Sequence, residues 1–219
     1  MPIDQITMQS VNYWIAMAGT VAFAVTAVLA VAPKGIDIFG VVVLGVITAI
    51  GGGTLRDVIV DVPVFWSIEL EYIWVAVGAS LAAFWANSLF TRKQVYQLML
   101  YLDALGVSLF AVQATAKVWK LDFGLPLGPI MLGVVTAIGG GLIRDVLAGR
   151  QNLLMKRELY AIPVLLGCAV FAVILQYFPQ HAFDGGIACV AGIFGLRAAA
   201  IKWKLSVPDW LATKTKAEA

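Results

Sequence analysis

Long apolar stretches separated by short polar connections run along most of the chain. A bilayer core of about 30 Å takes roughly 20 helical residues, and seven stretches approach that length. Membrane strands would alternate apolar and polar residues at every second position, whereas a stretch such as VAVGASLAAFWANSLF is apolar on all sides. The pattern predicts an all-α integral membrane protein with seven transmembrane helices, at residues 12–33, 37–60, 70–90, 95–116, 125–147, 158–178 and 183–201.

The chain contains an internal repeat. The stretch LGVITAIGGGTLRDV from Leu44 matches LGVVTAIGGGLIRDV from Leu132 at twelve of fifteen positions, at an offset of 88. Upstream, GTVAFAVTA from Gly19 resembles GVSLFAVQA from Gly106, so the repeat includes the preceding helix. A unit of three helices makes the second copy enter the membrane in the opposite direction. We therefore predict one transmembrane domain over residues 1–205, consisting of two inverted repeats and a seventh helix, at 12–90, 95–178 and 183–201.

Lysine and arginine are unevenly distributed over the predicted connections. With the N-terminus outside, the outer connections carry only Lys117 and Lys120, whereas the inner connections and the tail carry eleven basic residues. Because basic loops stay in the cytoplasm, we predict an external N-terminus and a cytoplasmic C-terminus. Residues 206–219 would form a short cytoplasmic tail near anionic headgroups. The eleven inner residues are Lys34, Arg92, Lys93, Arg150, Lys156, Arg157, Arg197, Lys202, Lys204, Lys214 and Lys216.

Each repeat places three consecutive glycines in its second helix. A glycine costs about 1 kcal/mol relative to alanine in a helix interior, and lipid tolerates an interrupted helix only beside protein or water. We therefore predict that each helix is broken at its triplet, with free carbonyl groups and the negative dipole end facing a cation path. Thr48 and Thr136 could add hydroxyls to this path or bond back to their own helix. The alternative for the triplets is close helix crossing. The glycines are Gly51, Gly52, Gly53, Gly139, Gly140 and Gly141.

An Arg-Asp pair follows each triplet, Arg56 with Asp57 and Arg144 with Asp145. Neighbouring residues on a helix point in different directions, so we expect their partners elsewhere. The repeat suggests that Arg56 meets Asp145 and that Arg144 meets Asp57 across the interface between the halves, or that each arginine caps the carbonyl groups of the opposite broken helix. The alternative is that all four charges lie at the headgroups and end the span.

A further acid, Asp103, lies near the middle of the fourth segment, where a lone charge is expensive. Three roles are possible for Asp103: it could line a pore, couple transport to protons or form a polar bond between subunits. The simplest alternative is a neutral carboxyl group that is hydrogen-bonded to a neighbouring helix. Lys117 and Arg197 lie near segment ends, where long basic side chains reach the headgroups. Aromatic residues near segment ends predict an interfacial belt, formed by Trp14, Trp66, Trp74, Trp119, Trp203, Tyr72, Tyr160 and Tyr177.

Composition narrows the possible functions. Of 219 residues, 61% are apolar and 13% are charged, so no soluble domain fits beside the spans. Cys168 and Cys189 lie in apolar stretches and His181 lies in a loop, so we predict no metal site beyond transient permeating cations. Without a nucleophile and base pair, the chain is not expected to be an enzyme. The net charge of +2 is spread over short loops, which predicts no nucleic-acid partner.

The duplicated GGGTLRDV and GGGLIRDV, the LDALGVSLFAV helix and the seventh span resemble the bacterial branch of the trimeric intracellular cation channel family, over residues 12 to 203. The resemblance implies a homotrimer in the bacterial inner membrane, with lipid neighbours and no cofactor except a possible bound lipid. Each subunit would hold a pore lined by Gly-kinked second and fifth helices that passes K⁺ or Na⁺, chiefly K⁺. The six glycines and the four charges after them match the family motif. The family is also associated with glycine transport, so a secondary transporter of a small amino acid is the alternative.

Overall fold

The computed structural model describes residues 3–86, 89, 91–156 and 158–207, with side chains from residue 12 onward. This part of the chain contains eight α-helices and no β-strand. Most of the predicted tail at 206–219 lies outside the described residues. The helices are α1 (Ile3–Val31), α2 (Ile38–Ile59), α3 (Phe65–Ile68), α4 (Glu71–Ala86), α5 (Arg92–Lys120), α6 (Leu127–Leu147), α7 (Ala161–Tyr177) and α8 (Ala182–Trp203).

Seven of these helices correspond to the seven apolar segments, and α3 is a single unpredicted turn after α2. Five of the seven are long and apolar enough to cross a membrane, whereas α4 and α7 have only 16 and 17 residues. The segment predicted at 158–178 begins late as a helix because its first residues pair with the chain after α8. There, Leu159 donates its backbone N–H to the carbonyl of Leu205 at 3.3 Å. The number of helices that cross the membrane therefore stays a prediction.

Local caps and turns determine where the helices begin. Asp37 accepts a hydrogen bond from the backbone of Gly40 at 2.8 Å and caps α2. Thr91 and Gln94 form a reciprocal capping box at the start of α5. Between α1 and α2 the chain turns at Gly35, whose φ of +67° lies in the left-handed region. Such short connections make consecutive helices antiparallel neighbours.

Equivalent helices of the two repeats, α1 and α5, cross at a reciprocal contact between phenylalanine and glycine. The rings of Phe23 and Phe110 stack with centroids 5.5 Å apart. A Cβ on Gly19 would lie 3.1 Å from Phe110, and a Cβ on Gly106 would lie 3.3 Å from Phe23. Position 19 thus faces 110 and position 23 faces 106, so the two helices are antiparallel. This is the arrangement that an inverted repeat requires.

The last helix, α8, lies outside the two repeats and packs on α5 and α7. Ile193 of α8 fills the space above Gly167 of α7, which has no side chain. Cys189 of α8 and Cys168 of α7 are free and buried, in line with a packing role. α8 therefore contributes one buried stripe to the core, while its opposite face remains exposed.

Candidate functional site

α2 and α6 cross at the middle glycine of each triplet. A Cβ on Gly52 would overlap the carbonyl oxygen of Thr136, and a Cβ on Gly140 would overlap the carbonyl oxygen of Thr48. Only glycine fits at these two positions, where one backbone lies directly on the other. The contact is reciprocal and antiparallel, like the contact between α1 and α5. The crossing therefore lies at the centre of the repeated unit.

The triplets do not break the helices. Both α2 and α6 continue as α-helix through residues 51–53 and 139–141. The prediction of non-helical backbone with free carbonyl groups is therefore wrong. Close helix crossing, the alternative, accounts for the middle glycines. Direct backbone packing offsets their low helix propensity without the loss of any hydrogen bond in the helix.

The flanking glycines of the triplets also lie against neighbouring groups. A Cβ on Gly53 would lie 2.5 Å from the ring of Phe65, and a Cβ on Gly51 would lie 2.9 Å from Ile143. A Cβ on Gly139 would lie 3.4 Å from the Cα of the opposite middle glycine. Because the triplets carry no side chains, neighbouring residues pack directly against the backbone of α2 and α6 at these positions.

The two threonines before the triplets use their hydroxyls locally. Thr48 donates to the carbonyl of Leu44 at 2.7 Å, and Thr136 donates to the carbonyl of Leu132 at 2.6 Å. Both hydroxyls thus bond back to their own helix, and Thr136 also lines a cavity between the repeats. A role of these threonines in a cation path stays a prediction.

The first charged group lies where α2 ends, and we call Arg56, Asp57 and Lys117 the Asp57 cluster. Arg56 Nε and Lys117 Nζ both lie 2.8 Å from Asp57 Oδ1. The second oxygen, Oδ2, accepts from the backbone N–H of Phe65 at 2.9 Å. This carboxylate therefore holds α2, α5 and the start of α3 together, and it is fully buried.

The second charged group lies where α6 ends, and we call Thr26, Asp103, Arg144 and Asp145 the Arg144 cluster. Arg144 Nε lies 2.9 Å from Asp145 Oδ1, and its Nη1 donates to Asp103 Oδ1 at 2.9 Å and to the Thr26 hydroxyl at 2.8 Å. Asp145 Oδ2 accepts from the backbone of Leu153 at 3.3 Å. Leu153 is the repeat equivalent of Phe65, so both repeats use the same carboxylate contact.

The predicted pairing across the repeat interface is wrong. Each arginine turns along its own helix and bonds the aspartate that follows it, Arg56 to Asp57 and Arg144 to Asp145. The arginine side chain is long enough to reach the aspartate at the next position, although the two positions point in different directions on the helix. All four residues are buried within the protein, so they are not free charges facing the headgroups. Their depth in the membrane stays a prediction.

The other isolated charges are also partnered. Asp103 is bonded to Arg144, and both are 0% exposed, so the acid is not alone in the membrane. Lys117 is not a free anchor, because it bonds Asp57. Arg197 is also 0% exposed, with its guanidinium carbon 4.5 Å from the ring centre of Tyr160. Its predicted role as an exposed anchor is wrong.

The aromatic belt is only partly where the sequence predicts it. Trp14, Trp74 and Tyr177 are about two-thirds exposed or more, as a belt requires. By contrast, Tyr72 and Tyr160 are buried. Burial of Tyr72 follows from its edge-to-face contact with Phe65, with ring centres 4.7 Å apart.

A cavity of about 510 Å³ lies between the repeats and connects the Asp57 cluster with the crossing. Asn12 in the first half of α1 and Lys120 at the end of α5 line one side of it, and Ala49 and Thr136 line it near the crossing. Its charged lining comprises Arg56, Lys117, Lys120 and Glu69. The cavity is a candidate for a polar path into the bundle.

Comparison with known proteins identifies the family. A family model described as "Glycine transporter" matches residues 13–88 and 100–176, one match in each half of the chain. The solved structure of a trimeric intracellular cation channel orthologue from Rhodobacter sphaeroides is 36% identical, with a TM-score of 0.84 over 90% of this chain and 100% of that one. The chain belongs to the trimeric intracellular cation channel family. The predicted family membership is confirmed.

Other members of the family agree with this assignment. A prokaryotic TRIC channel solved in KCl is 28% identical, with a TM-score of 0.83 over 91% of this chain and 100% of that one. The inner membrane protein YadS of Escherichia coli is 35% identical over 90% of this chain and 95% of that protein. The chain is thus a multi-pass inner membrane protein and not an enzyme, as predicted.

The sequence assigned another role to Lys117, Arg197 and Tyr160 and none to Thr26. Lys117 and Arg197 carried a usable signal, because each is a basic residue within an apolar helix. Thr26 and Tyr160 carried none, since threonine and tyrosine are ordinary near the ends of membrane helices. Their roles depend on which side chains of α5, α6 and α8 lie beside them.

Proposed function

We propose that this chain is a monovalent cation channel that works as a homotrimer with a separate pore in each subunit. Three solved proteins that are 28–36% identical to this chain are described as TRIC channels. The observation that carries the proposal is the cavity that leads from the charged residues Arg56, Lys117, Lys120 and Glu69 to the crossing of α2 and α6. A path along the interface of two inverted halves needs no broken helix.

The proposed path enters the cavity beside Asn12 and Lys120 and reaches the crossing beside Thr136. Beyond the crossing lies the Arg144 cluster. Arg144 and Asp103 are 0% exposed and bonded to each other, so the proposed path is closed at this end of the structure. We infer that conduction requires the bond between Asp103 and Arg144 to open, while the Asp57 cluster remains at the entrance.

Asp57 makes the entrance acceptable to a cation. Three cations line the cavity, and two of them, Arg56 and Lys117, are bonded to this carboxylate. Opposite charge within a few ångströms offsets the repulsion that these groups would exert on K⁺. Since α2 and α6 keep their carbonyl groups in helix hydrogen bonds, we expect the pore to pass K⁺ with only a modest preference over Na⁺.

Unitary currents in a planar bilayer test the proposal. The purified protein is reconstituted in KCl, and we expect discrete K⁺ currents. In Asp57→Asn we expect the unitary conductance to fall by at least about threefold, because Arg56 and Lys117 then lose the carboxylate that they bond. Glu69 alone would then offset the three cations of the lining. The matched control is Asp61→Asn, which removes the same charge from an exposed residue just after α2 and should leave the conductance unchanged.

The second candidate is a secondary transporter of glycine or another small amino acid, which the description of the family model favours. In that case the inverted halves would alternate around a bound zwitterion. Saturable uptake of radiolabelled glycine into proteoliposomes, without unitary currents in the bilayer, would replace the channel proposal by this one.

A further inference from the structure

Arg197 is a fully buried charge on a helix that belongs to neither repeat. Its Nη1 donates to the carbonyl of Leu159 at 2.9 Å. Among the described residues, its Nε and Nη2 have no hydrogen-bond partner, and no described carboxylate forms an ion pair with it. A buried arginine without a carboxylate is costly inside a membrane protein. We therefore expect Arg197 to have a function that an apolar side chain at this position could not perform.

The main contact of Arg197 is the face of an aromatic ring. Its guanidinium carbon lies 4.5 Å from the ring centre of Tyr160, and that ring is buried. A guanidinium over an aromatic face is attracted by the electrons of the ring, and more strongly in a site without water. Together with the bond to Leu159, this contact holds Tyr160 in place from the side of α8.

The hydroxyl of Tyr160 points into the Arg144 cluster. A Cβ on Gly141 would lie 3.4 Å from this hydroxyl, 3.3 Å from Asp103 Oδ1 and 3.5 Å from Arg144 Nη2. The three polar groups therefore converge on the face of Gly141, which has no side chain to separate them. Tyr160 thus lies between the guanidinium of Arg197 and the ion pair that closes the proposed path.

We propose that Arg197 is a positioning residue through which α8 holds Tyr160 against the pair formed by Asp103 and Arg144, and so sets how readily the path opens. The inference rests on the proposed function, because it assigns the opening step to that pair. Arg197 acts on the path only through Tyr160 and touches no permeating ion. It should therefore affect opening and not the rate at which ions pass the open pore.

Single-channel recordings of Arg197→Met, Tyr160→Phe and the double variant test this inference. Loss of either the guanidinium or the hydroxyl loosens the hold on Asp103. We therefore expect each single variant to raise the ratio of open to closed time by about threefold to tenfold, the range that one net hydrogen bond gives. The double variant should raise it no further than the stronger single variant. The unitary conductance should stay at the wild-type value in all three.

The control is Lys202→Met, which removes the same charge from an exposed position on the same helix and should leave both quantities unchanged. A wild-type ratio in Arg197→Met, or independent effects that multiply in the double variant, would overturn the inference while the channel function stood. Wild-type protein without unitary currents would overturn both. Should Arg197→Met not assemble, Tyr160→Phe decides alone, since it keeps the ring and removes only the hydroxyl; an unchanged ratio there rejects the proposal.

Discussion

Two buried carboxylates of the charged clusters, Asp57 and Asp145, each accept more than one hydrogen bond. Asp57 accepts from two cationic side chains and one backbone N–H, and Asp145 accepts from Arg144 and from the backbone of Leu153. Removing one partner from such a group leaves the other charge buried without a counter-charge. The resulting loss of folding free energy is larger than the net stabilisation that the ion pair provides. Individual residues at these positions are therefore expected to tolerate little change.

The crossing glycines give the sharpest prediction at the scale of a residue. In Gly52→Ala, the added methyl group meets the carbonyl oxygen of Thr136, a backbone atom that cannot turn aside. Overpacking costs about 1–3 kcal/mol, so we expect Tm of the detergent-solubilised protein to fall by roughly 5 °C. The control is Gly78→Ala on α4, where nothing lies within 4 Å of an added Cβ. That change should leave Tm equal or slightly higher, and an equal fall in both variants would contradict the tight crossing.

Among the elements, α5 connects the two charged clusters. It supplies Lys117 to the Asp57 cluster and Asp103 to the Arg144 cluster. At 1.5 Å per residue, the two positions are about 21 Å apart along the helix. α5 therefore touches the proposed path both at its entrance and at its closed end. No other single helix carries side-chain partners from both clusters among the described contacts.

The role of α5 predicts the result of Asp103→Asn. If the carboxylate is ionised and paired, its loss leaves Arg144 with one buried counter-charge fewer, at a cost of about 3–5 kcal/mol. Thermal unfolding in detergent should then show a fall in Tm of roughly 10 °C. The control Asp122→Asn changes an exposed residue in the turn after α5. A Tm close to this control would instead favour the neutral, hydrogen-bonded Asp103 that the sequence left open.

Different polar contacts join the helices at the two ends of the molecule. At one end, Lys34 after α1 bonds the carbonyl of Ala148, and Arg150 after α6 bonds the carbonyl of Ala30 at 2.7 Å. At the other end, α2 and α5 are joined through the Asp57 cluster. By the distribution of basic residues, we propose that the end with Lys34 and Arg150 faces the cytoplasm.

Labelling of introduced cysteines tests this orientation. A membrane-impermeant maleimide applied to intact cells should label Asp122→Cys, between α5 and α6, and should not label Gln151→Cys, after α6. Both positions are exposed, and the two native cysteines are buried. Gln151→Cys should react only after the cells are lysed. The reverse pattern would place the N-terminus inside.

Several features of this protein followed from its sequence alone. Apolar runs of membrane length predict helices because lipid satisfies no backbone group, so each segment must satisfy its own. The match between the two stretches around the glycine triplets predicts a duplicated unit. The contacts of Phe23 with Gly106 and of Phe110 with Gly19 are those of two antiparallel copies. The triplet with its Arg-Asp pair identified the family, because such a motif is rare twice in one chain.

Only the tertiary structure decided what these residues do. Whether a glycine breaks a helix or admits a neighbour depends on the opposite backbone, and the carbonyl of Thr136 lies against Gly52. The bonds from Arg144 to Thr26 and Asp103 and from Lys117 to Asp57 join residues 118, 41 and 60 positions apart. The sequence shows that such charges need partners, because burial in an apolar medium is costly. It does not show which helices pack against each other, and this packing determines which residues become partners.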